Sequence, residues 1–237
     1  MGRRSTRARA RPRGALSPSP ESRLEPTLRV TEIFRSIQGE STRAGFPCAF
    51  IRLTGCSLRC VWCDTAYAFS GGRDMTVSEA VDRVLALGTD LVEITGGEPL
   101  EQEAVYTLLD RLLDRGKTVL VETGGHVPLD RIDPRAVKIV DVKAPGSGMV
   151  AANLRENLER LGPRDELKFV LADRRDFDWA LDFVRERGLD RRHAVTFSPV
   201  WETLPAGELA EWIRDSGRPI RLGVQLHKLL WGDVPGR

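Results

Sequence analysis

Three of the four cysteines lie close together, in Cys56-Ser57-Leu58-Arg59-Cys60-Val61-Trp62-Cys63. Thiolates are soft ligands that select iron–sulfur clusters, zinc or Cu(I), and three on one short loop can wrap a single metal centre. A structural zinc site takes four protein ligands, so the triplet is one short for zinc. On a four-iron cluster, three cysteines leave one iron without a protein ligand. The remaining thiol, Cys48, would complete a C-x7-C-x3-C-x2-C set, but it stands before or within an apolar run that separates it from the triplet. It reads as a small buried hydrophobe. Clustered thiols in a cytosolic-looking chain bind metal more often than they form disulfides.

A second group follows the apolar run Leu91-Val92-Glu93-Ile94: Thr95-Gly96-Gly97-Glu98-Pro99. Paired glycines let backbone approach a ligand closely, and Glu98 offers an acceptor for a cationic amine. Glycines after a strand are also ordinary turn material. The segment gains meaning by coming next after the cysteine loop.

Both groups need elements to hold them. From about residue 28 the chain alternates β-rich runs with amphipathic helical ones. The strand candidates are Cys48–Leu53, Leu91–Thr95, Thr118–Glu122, Val137–Val142, Leu167–Leu171, Ala194–Pro199 and Arg221–Leu226. Thr76-Val77-Ser78-Glu79 is a capping box, after which Val77, Ala80, Val81, Val84 and Leu85 share one helical face. Leu100, Ala104, Val105, Leu108, Leu109, Leu112 and Leu113 repeat that pattern up to Gly116, and Phe177, Ala180, Leu181 and Val184 do so up to Gly188. Strand–helix alternation implies a parallel sheet with right-handed crossovers. A complete eight-unit barrel takes about 250 residues. Roughly 210 residues beyond the N-terminal tail therefore predict an α/β fold, an incomplete TIM-type barrel with mainly parallel strands. Functional residues then belong at the C-terminal ends of the strands.

Hydrophobic residues make up 41% and charged residues 30% of the chain, the balance of a soluble globular protein. No run approaches the ~18 apolar residues of a membrane span. The net charge of +2 is unevenly spread. Arg3, Arg4, Arg7, Arg9, Arg11 and Arg13 face no acidic residue in positions 1–20, and the rest carries 30 basic against 34 acidic side chains, a net charge of −4. A weakly acidic body is a poor footprint for nucleic acid. Residues 1–26, rich in Arg, Pro, Ser and Ala, are expected to form a disordered tail, and 27–237 a single domain in the cytoplasm. The tail also has the Arg-rich, acid-poor look of an organelle transit peptide, and Met1–Thr6 fits the loose myristoylation pattern.

The triplet, with the aromatic Trp62 before its last cysteine and the Gly-Gly-Glu-Pro segment after it, resembles the radical S-adenosylmethionine superfamily. The segments Glu32–Ser41, Phe50–Cys56, Cys63-Asp64-Thr65, Glu122–Gly125, Asp141–Gly148 and Gln225–Lys228 narrow the resemblance to the 7-carboxy-7-deazaguanine synthase family, over about residues 29–231. The resemblance implies a lyase that turns 6-carboxy-5,6,7,8-tetrahydropterin into 7-carboxy-7-deazaguanine with loss of ammonia, in queuosine and deazapurine biosynthesis. It implies that Cys56, Cys60 and Cys63 ligate a [4Fe–4S] cluster whose open iron takes S-adenosylmethionine. Reductive cleavage would then give a 5′-deoxyadenosyl radical that abstracts hydrogen from C6 of the substrate. Trp62, Cys63, Asp64, Gly97, Glu98, Asp141, Val142 and Lys143 are implied along the S-adenosylmethionine, and the Thr65 hydroxyl on Mg²⁺. Ile37, Gln38, Gly39, Glu40 and Thr95 are implied at the pterin, and Arg52 at its carboxylate. Glu122 and His227 would close the pocket and form the catalytic set with Arg52. The implied partners are the small-molecule pterin, an electron donor such as flavodoxin or ferredoxin, and a second copy in a homodimer. The chain departs from the pattern at Asp141 and Val142, where a serine or a leucine is expected, and Leu229–Arg237 carries no assignment.

Taken singly, most of these residues have a plainer use. Arg52 could be an exposed surface arginine, Asp64 or Thr65 a helix N-cap, His227 a hydrogen-bonded structural histidine, and Lys143 a solvated loop lysine. Two other readings of the whole also stand: a glycyl-radical activase, which acts on a partner protein, and a zinc-binding interaction module that uses Cys48.

Overall fold

A computed structural model describes residues 25–234 and Gly236. The expected tail lies outside the described residues up to position 24. Glu25 and Pro26 belong to the body. The Glu25 carboxylate accepts from Ser78 N at 3.1 Å and pairs with Arg111 at 2.6 Å, and the Pro26 carbonyl accepts from Val77 N.

Nine strands form one sheet: β1 (Thr27–Ile37), β2 (Pro47–Leu53), β3 (Arg73–Thr76), β4 (Leu91–Gly96), β5 (Thr118–Thr123), β6 (Val137–Asp141), β7 (Glu166–Leu171), β8 (Ala194–Pro199) and β9 (Ile220–Leu222). Their order is β3-β1-β2-β4-β5-β6-β7-β8-β9, and every neighbouring pair from β2 to β9 runs parallel. The sheet stays open, as in a partial TIM barrel. Strands β1 and β3 extend one edge antiparallel. They escaped the sequence reading because β1 is only half covered and mixes Arg29, Glu32 and Arg35 with its apolar residues. At the other edge the expected strand Arg221–Leu226 ends at Leu222, and Leu226 instead opens a helix.

The helices are α1 (Val77–Ala86), α2 (Val105–Asp114), α3 (Arg174–Arg187), α4 (Ala206–Ser216) and α5 (Leu226–Trp231). Half of the predicted capping box forms: Thr76 Oγ1 accepts from Glu79 N at 3.1 Å. The Glu79 carboxylate turns instead to Arg83 and Arg73. Gly188, at φ 57°, ends α3 in the left-handed conformation that suits glycine.

Side chains alternate across each strand, and the alternation builds two interiors. Ala49, Ile51, Val92, Ile94, Val121, Val140, Leu167 and Phe169 face the helices in the main core. Their neighbours face the lumen. There, Cys48, Leu91, Leu120, Val137 and Ile139 form a separate apolar plug at the N-terminal ends of the strands. One pleat repeat higher β4 and β5 carry Glu93 and Glu122, joined by Lys168 from β7, and beyond them come Arg52, Thr95 and Asp141; all six line a cavity. Around this plug the lumen is apolar, and above it charged.

Candidate active site

All but one of the site residues expected from the sequence line one cavity of about 690 Å³. The exception is Val142. Asp141 ends β6 facing the lumen, so the next side chain falls on the opposite face, and Val142 is buried in the main core. That corrects its expected place beside S-adenosylmethionine.

The cysteine loop leaves the C-terminal end of β2 at Gly55, whose φ of 100° suits glycine. Arg59 braces it, donating to the Cys56 and Leu58 carbonyls at 2.6 and 2.7 Å and stacking on Phe69. Val61 N reaches the Ser147 carbonyl at 3.1 Å, which hooks the loop to the turn after β6. Cys56, Cys60 and Cys63 are partly exposed and free. Burial pushes the Cys56 thiol up to about 11 and raises Cys60 as well. A coordinating metal would deprotonate these thiols. Among the described residues, no three His, Cys, Asp or Glu side chains converge on one ion. A tetrahedral zinc needs such convergence, whereas in an iron–sulfur cluster each cysteine binds its own iron. Cys48 sits in the apolar plug at the opposite end of β2, fully buried, with its thiol pushed up by burial. It is packing, and the zinc reading loses its fourth ligand.

The loop after β4 lies against the cysteine loop. Gly97 N donates to the Leu53 carbonyl at 3.0 Å and Glu98 N to the Gly55 carbonyl at 2.7 Å. A Cβ on Gly97 would meet Gly55 O at 2.0 Å. The sequence suggested the Glu98 carboxylate as an amine acceptor, but the structure uses both of its oxygens. They accept from Leu100 N, Thr123 Oγ1 and Gly124 N at 2.8 to 3.1 Å, with His126 Nδ1 at 3.5 Å. Burial raises its pKa. Glu98 clamps the β4 and β5 loops together. An oxygen that does lack a partner among the described residues is Asp141 Oδ1, buried on the cavity wall. Its other oxygen holds Lys143 Nζ at 2.8 Å, so Lys143 is not a solvated loop lysine.

Arg52 is not a surface residue either: its side chain is 14% exposed. Glu32 Oε1 accepts from Arg52 Nε and from the Tyr67 hydroxyl, each at 2.8 Å. No partner is recorded for its terminal nitrogens among the described residues, and the side chain lines the cavity. Thr65 precedes a short 3-10 turn without capping it, and its hydroxyl lies 3.7 Å from Cys63 Sγ. Asp64 is no cap: its carboxylate receives Gln225 Nε2 at 2.9 Å and Lys228 Nζ at 3.3 Å, tying α5 to the cysteine loop.

Residues 38–46 form a strap between β1 and β2 across the lumen. The Gln38 amide, expected at the pterin edge, is spent on this strap. Its oxygen accepts from Glu40 N and Ser41 N at 3.0 and 2.8 Å, and its nitrogen donates to Glu93 at 3.1 Å. Gly39 lies so close to His227 that a Cβ would come 2.4 Å from Nδ1. Glu40 accepts from Lys168 and Gln225, each at 2.7 Å, and Lys168 also donates to Glu122. Burial alone would raise the Glu40 carboxyl, but the Lys168 ammonium outweighs it and holds Glu40 at about 2. Burial and then the facing Glu122 carboxylate push Glu93 well above the ordinary carboxylate range. Ile37 and Thr95 complete the wall beside this charged layer.

Glu93, Lys168, Gln225 and Lys228 were missed in the sequence. A signal existed for two: Glu93 and Lys168 are charges inside otherwise apolar strand runs, which strand interiors do not carry without a reason.

Comparison with known proteins follows the same lines. Residues 50–142 match the family model described as Radical SAM superfamily. The 7-carboxy-7-deazaguanine synthase of Koribacter versatilis is 44% identical over 86% of this chain and 97% of its own length. That of Chlorobaculum tepidum is 45% identical over 87% and 96%. QueE from Escherichia coli shares the fold with a TM-score of 0.70, covering 85% of this chain and 95% of that one at 24% identity. A match of this extent, with the three-cysteine loop and the charged lumen in one cavity, places the chain in the 7-carboxy-7-deazaguanine synthase family of the radical SAM superfamily.

Proposed function

We propose that the chain converts 6-carboxy-5,6,7,8-tetrahydropterin to 7-carboxy-7-deazaguanine with release of ammonia, as a carbon–nitrogen lyase. One observation carries the reading: a single strapped cavity holds the three-cysteine loop together with a largely covered arginine, Arg52, whose terminal nitrogens meet no partner among the described residues and can take a carboxylate. The names of the relatives at 44% and 45% identity support the product.

Cys56, Cys60 and Cys63 would hold the [4Fe–4S] cluster, and Trp62, Asp64, Gly97, Asp141 and Lys143 the S-adenosylmethionine. The orphaned Asp141 Oδ1 suits a ligand that brings N–H or O–H donors. When bound, the two groups supply the radical chemistry that opens a substrate C–H bond. The chain's own residues orient and enclose. Arg52, immobilised by Glu32 and Tyr67, would fix the substrate carboxylate. The Thr65 hydroxyl, released from any capping role, would offer Mg²⁺ an oxygen beside that carboxylate. Gly39, Glu40, Thr95, Glu122 and His227 would grip the pterin, with Ile37 against its ring. The strap and α5 would keep water out. A cavity closed in this way suits a small molecule rather than the protein partner of an activase. A one-electron donor such as flavodoxin or ferredoxin and a homodimeric state complete the proposal. Among the described residues no helix is long and apolar enough to cross a membrane.

The test is anaerobic turnover of the reconstituted chain with the tetrahydropterin, S-adenosylmethionine, Mg²⁺ and a reductant. The expected products are 7-carboxy-7-deazaguanine and ammonia, with about four irons per chain. Thr65→Val is expected to keep the iron and lose the stimulation by Mg²⁺. Cleavage of S-adenosylmethionine with no deazapurine formed would remove the substrate assignment.

A further inference from the structure

Glu93 on β4 and Lys168 on β7 have no role in the chemistry above. Both are buried and both line the cavity from the lumen side of their strands. Their sequence neighbours Val92, Ile94, Leu167 and Phe169 are all core residues. Charges at this depth are costly unless they are partnered, and here both partners of Lys168 are themselves ionisable. Lys168 Nζ donates to Glu122 and, at 2.7 Å, to Glu40. Glu93 receives Gln38 Nε2 at 3.1 Å, and the β4–β5 register, Glu93 opposite Leu120, sets it diagonally beside Glu122 on the lumen face. Two carboxyl groups crowded into a buried site do not both ionise readily, so one of them tends to keep its proton. A single ammonium also cannot neutralise three carboxylates. The cluster therefore holds one exchangeable proton beside Glu122, at the wall of the substrate cavity.

We infer that Glu93 and Lys168 are positioning residues that set Glu122 as the acid–base group for departure of the substrate nitrogen. Glu93 supplies the shared proton and Lys168 holds the Glu122 carboxylate in place. The inference rests on the conversion proposed above, which loses one ammonia and needs no net oxidant in the elimination. The C–N bond breaks with its electron pair leaving on nitrogen. That nitrogen takes a proton from the Glu93–Glu122 pair. The electron pair of an adjacent C–H bond becomes the new C=C bond, and its proton returns to the carboxyl pair. The pair ends as it began. Burial and the Glu122 carboxylate keep Glu93 protonated above the usual carboxylate range, and the flanking carboxylates keep Lys168 charged.

The test uses the full chain with its cluster, S-adenosylmethionine, Mg²⁺, reductant and C6-deuterated tetrahydropterin. Deazapurine formation and deuterium transfer to 5′-deoxyadenosine are read separately. A wild type that makes no deazapurine brings down the proposed function before any variant is read. With an active wild type, Glu93→Gln keeps an acceptor for Gln38 but has no proton to give. Its kcat is expected to fall about 100-fold or more, with KM within about 3-fold and deuterium transfer retained. Lys168→Met should shift the alkaline limb of the kcat–pH profile upward, because losing the cation makes the carboxyl pair hold its proton more tightly. The groups facing that pair are Gln38 and Glu40 from the strap, the Cys48 thiol from β2, Lys168 from β7 and Asp141 from β6. Wild-type kcat in Glu93→Gln, a defect confined to KM, or an unmoved limb in Lys168→Met overturns the inference. Should Glu93→Gln not fold, the infrared spectrum of the wild type at neutral pH decides beside Lys168→Met. A protonated-carboxyl band perturbed by Lys168→Met supports the inference, and the lack of one overturns it.

Discussion

At Gly97 a Cβ would meet the Gly55 carbonyl oxygen at 2.0 Å and the Cys56 Cβ at 2.8 Å, distances no side chain can hold. The obstacle is backbone on one side and a candidate iron ligand on the other, so neither can yield cheaply. Gly97→Ala is expected to cost about 1–3 kcal/mol and to lower the iron bound per chain. Urea unfolding and anaerobic iron analysis measure the two effects. Cys48→Ala is the contrasting case. It opens a small void in the apolar plug, a strand's length from the loop, so stability should fall by about 1 kcal/mol while iron content stays at the wild-type level. A loss of iron there would revive Cys48 as a ligand. Both outcomes follow from where a Cβ or a sulfur sits, not from its chemistry in isolation.

Among the elements, the strap from Gln38 to Phe46 determines how the cavity is closed. It is short, and its backbone is folded on itself: Gln38 N donates to the Phe46 carbonyl and Gly45 N to the Gln38 carbonyl, both at 2.8 Å. What anchors it across the lumen is a buried carboxylate on β7. Glu166 accepts from Thr42 N at 2.9 Å and from Thr42 Oγ1 at 2.5 Å, with Arg43 at 3.7 Å. Glu166→Ala removes all three partners at once. The expected result is a loss of about 1–3 kcal/mol, faster trypsin cleavage after Arg43, and a KM for the pterin that rises more than kcat falls. The last point separates the strap from the chemistry, because it presents Gly39 and Glu40 to the substrate without supplying the reacting group. An unchanged KM would mean that β7 merely stabilises the loop.

For the molecule as a whole, the charged layer inside the barrel couples stability to pH in two opposite ways. Glu40, held at about 2 against burial by Lys168, contributes stability that is full above the ordinary carboxylate value and lost as pH falls toward that figure. Glu93 is raised well above its ordinary value, so its contribution is full in mild acid and lost as pH rises through the raised value. Urea midpoints should therefore increase on going from about pH 9 to about pH 5, and decline again in stronger acid. Glu93→Gln, which cannot ionise, should flatten the first of these changes and leave the second. A wild type with the same flat profile would show that Glu93 titrates as an ordinary carboxylate.

The sequence alone determined the chemistry-bearing loops and the parallel body. Cys56, Cys60 and Cys63, the Gly96–Gly97 turn and the runs that became β2, β4, β5, β6, β7 and β8 are local patterns, and local patterns are fixed by short-range geometry. It also separated Cys48 from the triplet, because a strand's length can be counted in residues. The tertiary structure decided what depends on partners far along the chain. Strands β1 and β3 form only because another edge accepts them. The Gln38 amide and the Glu98 carboxylate look free in the sequence, and they become clamps because Glu93, Thr123 and Gly124 arrive beside them. Val142 leaves the site because the pleat turns it to the other face. Glu93 and Lys168 sit 75 positions apart in the chain; strand pairing sets Glu93 beside Glu122, and the curve of the sheet brings Lys168 to it from two strands away. An ionisable group acquires its working state from its neighbours in space, and those neighbours are chosen by the fold.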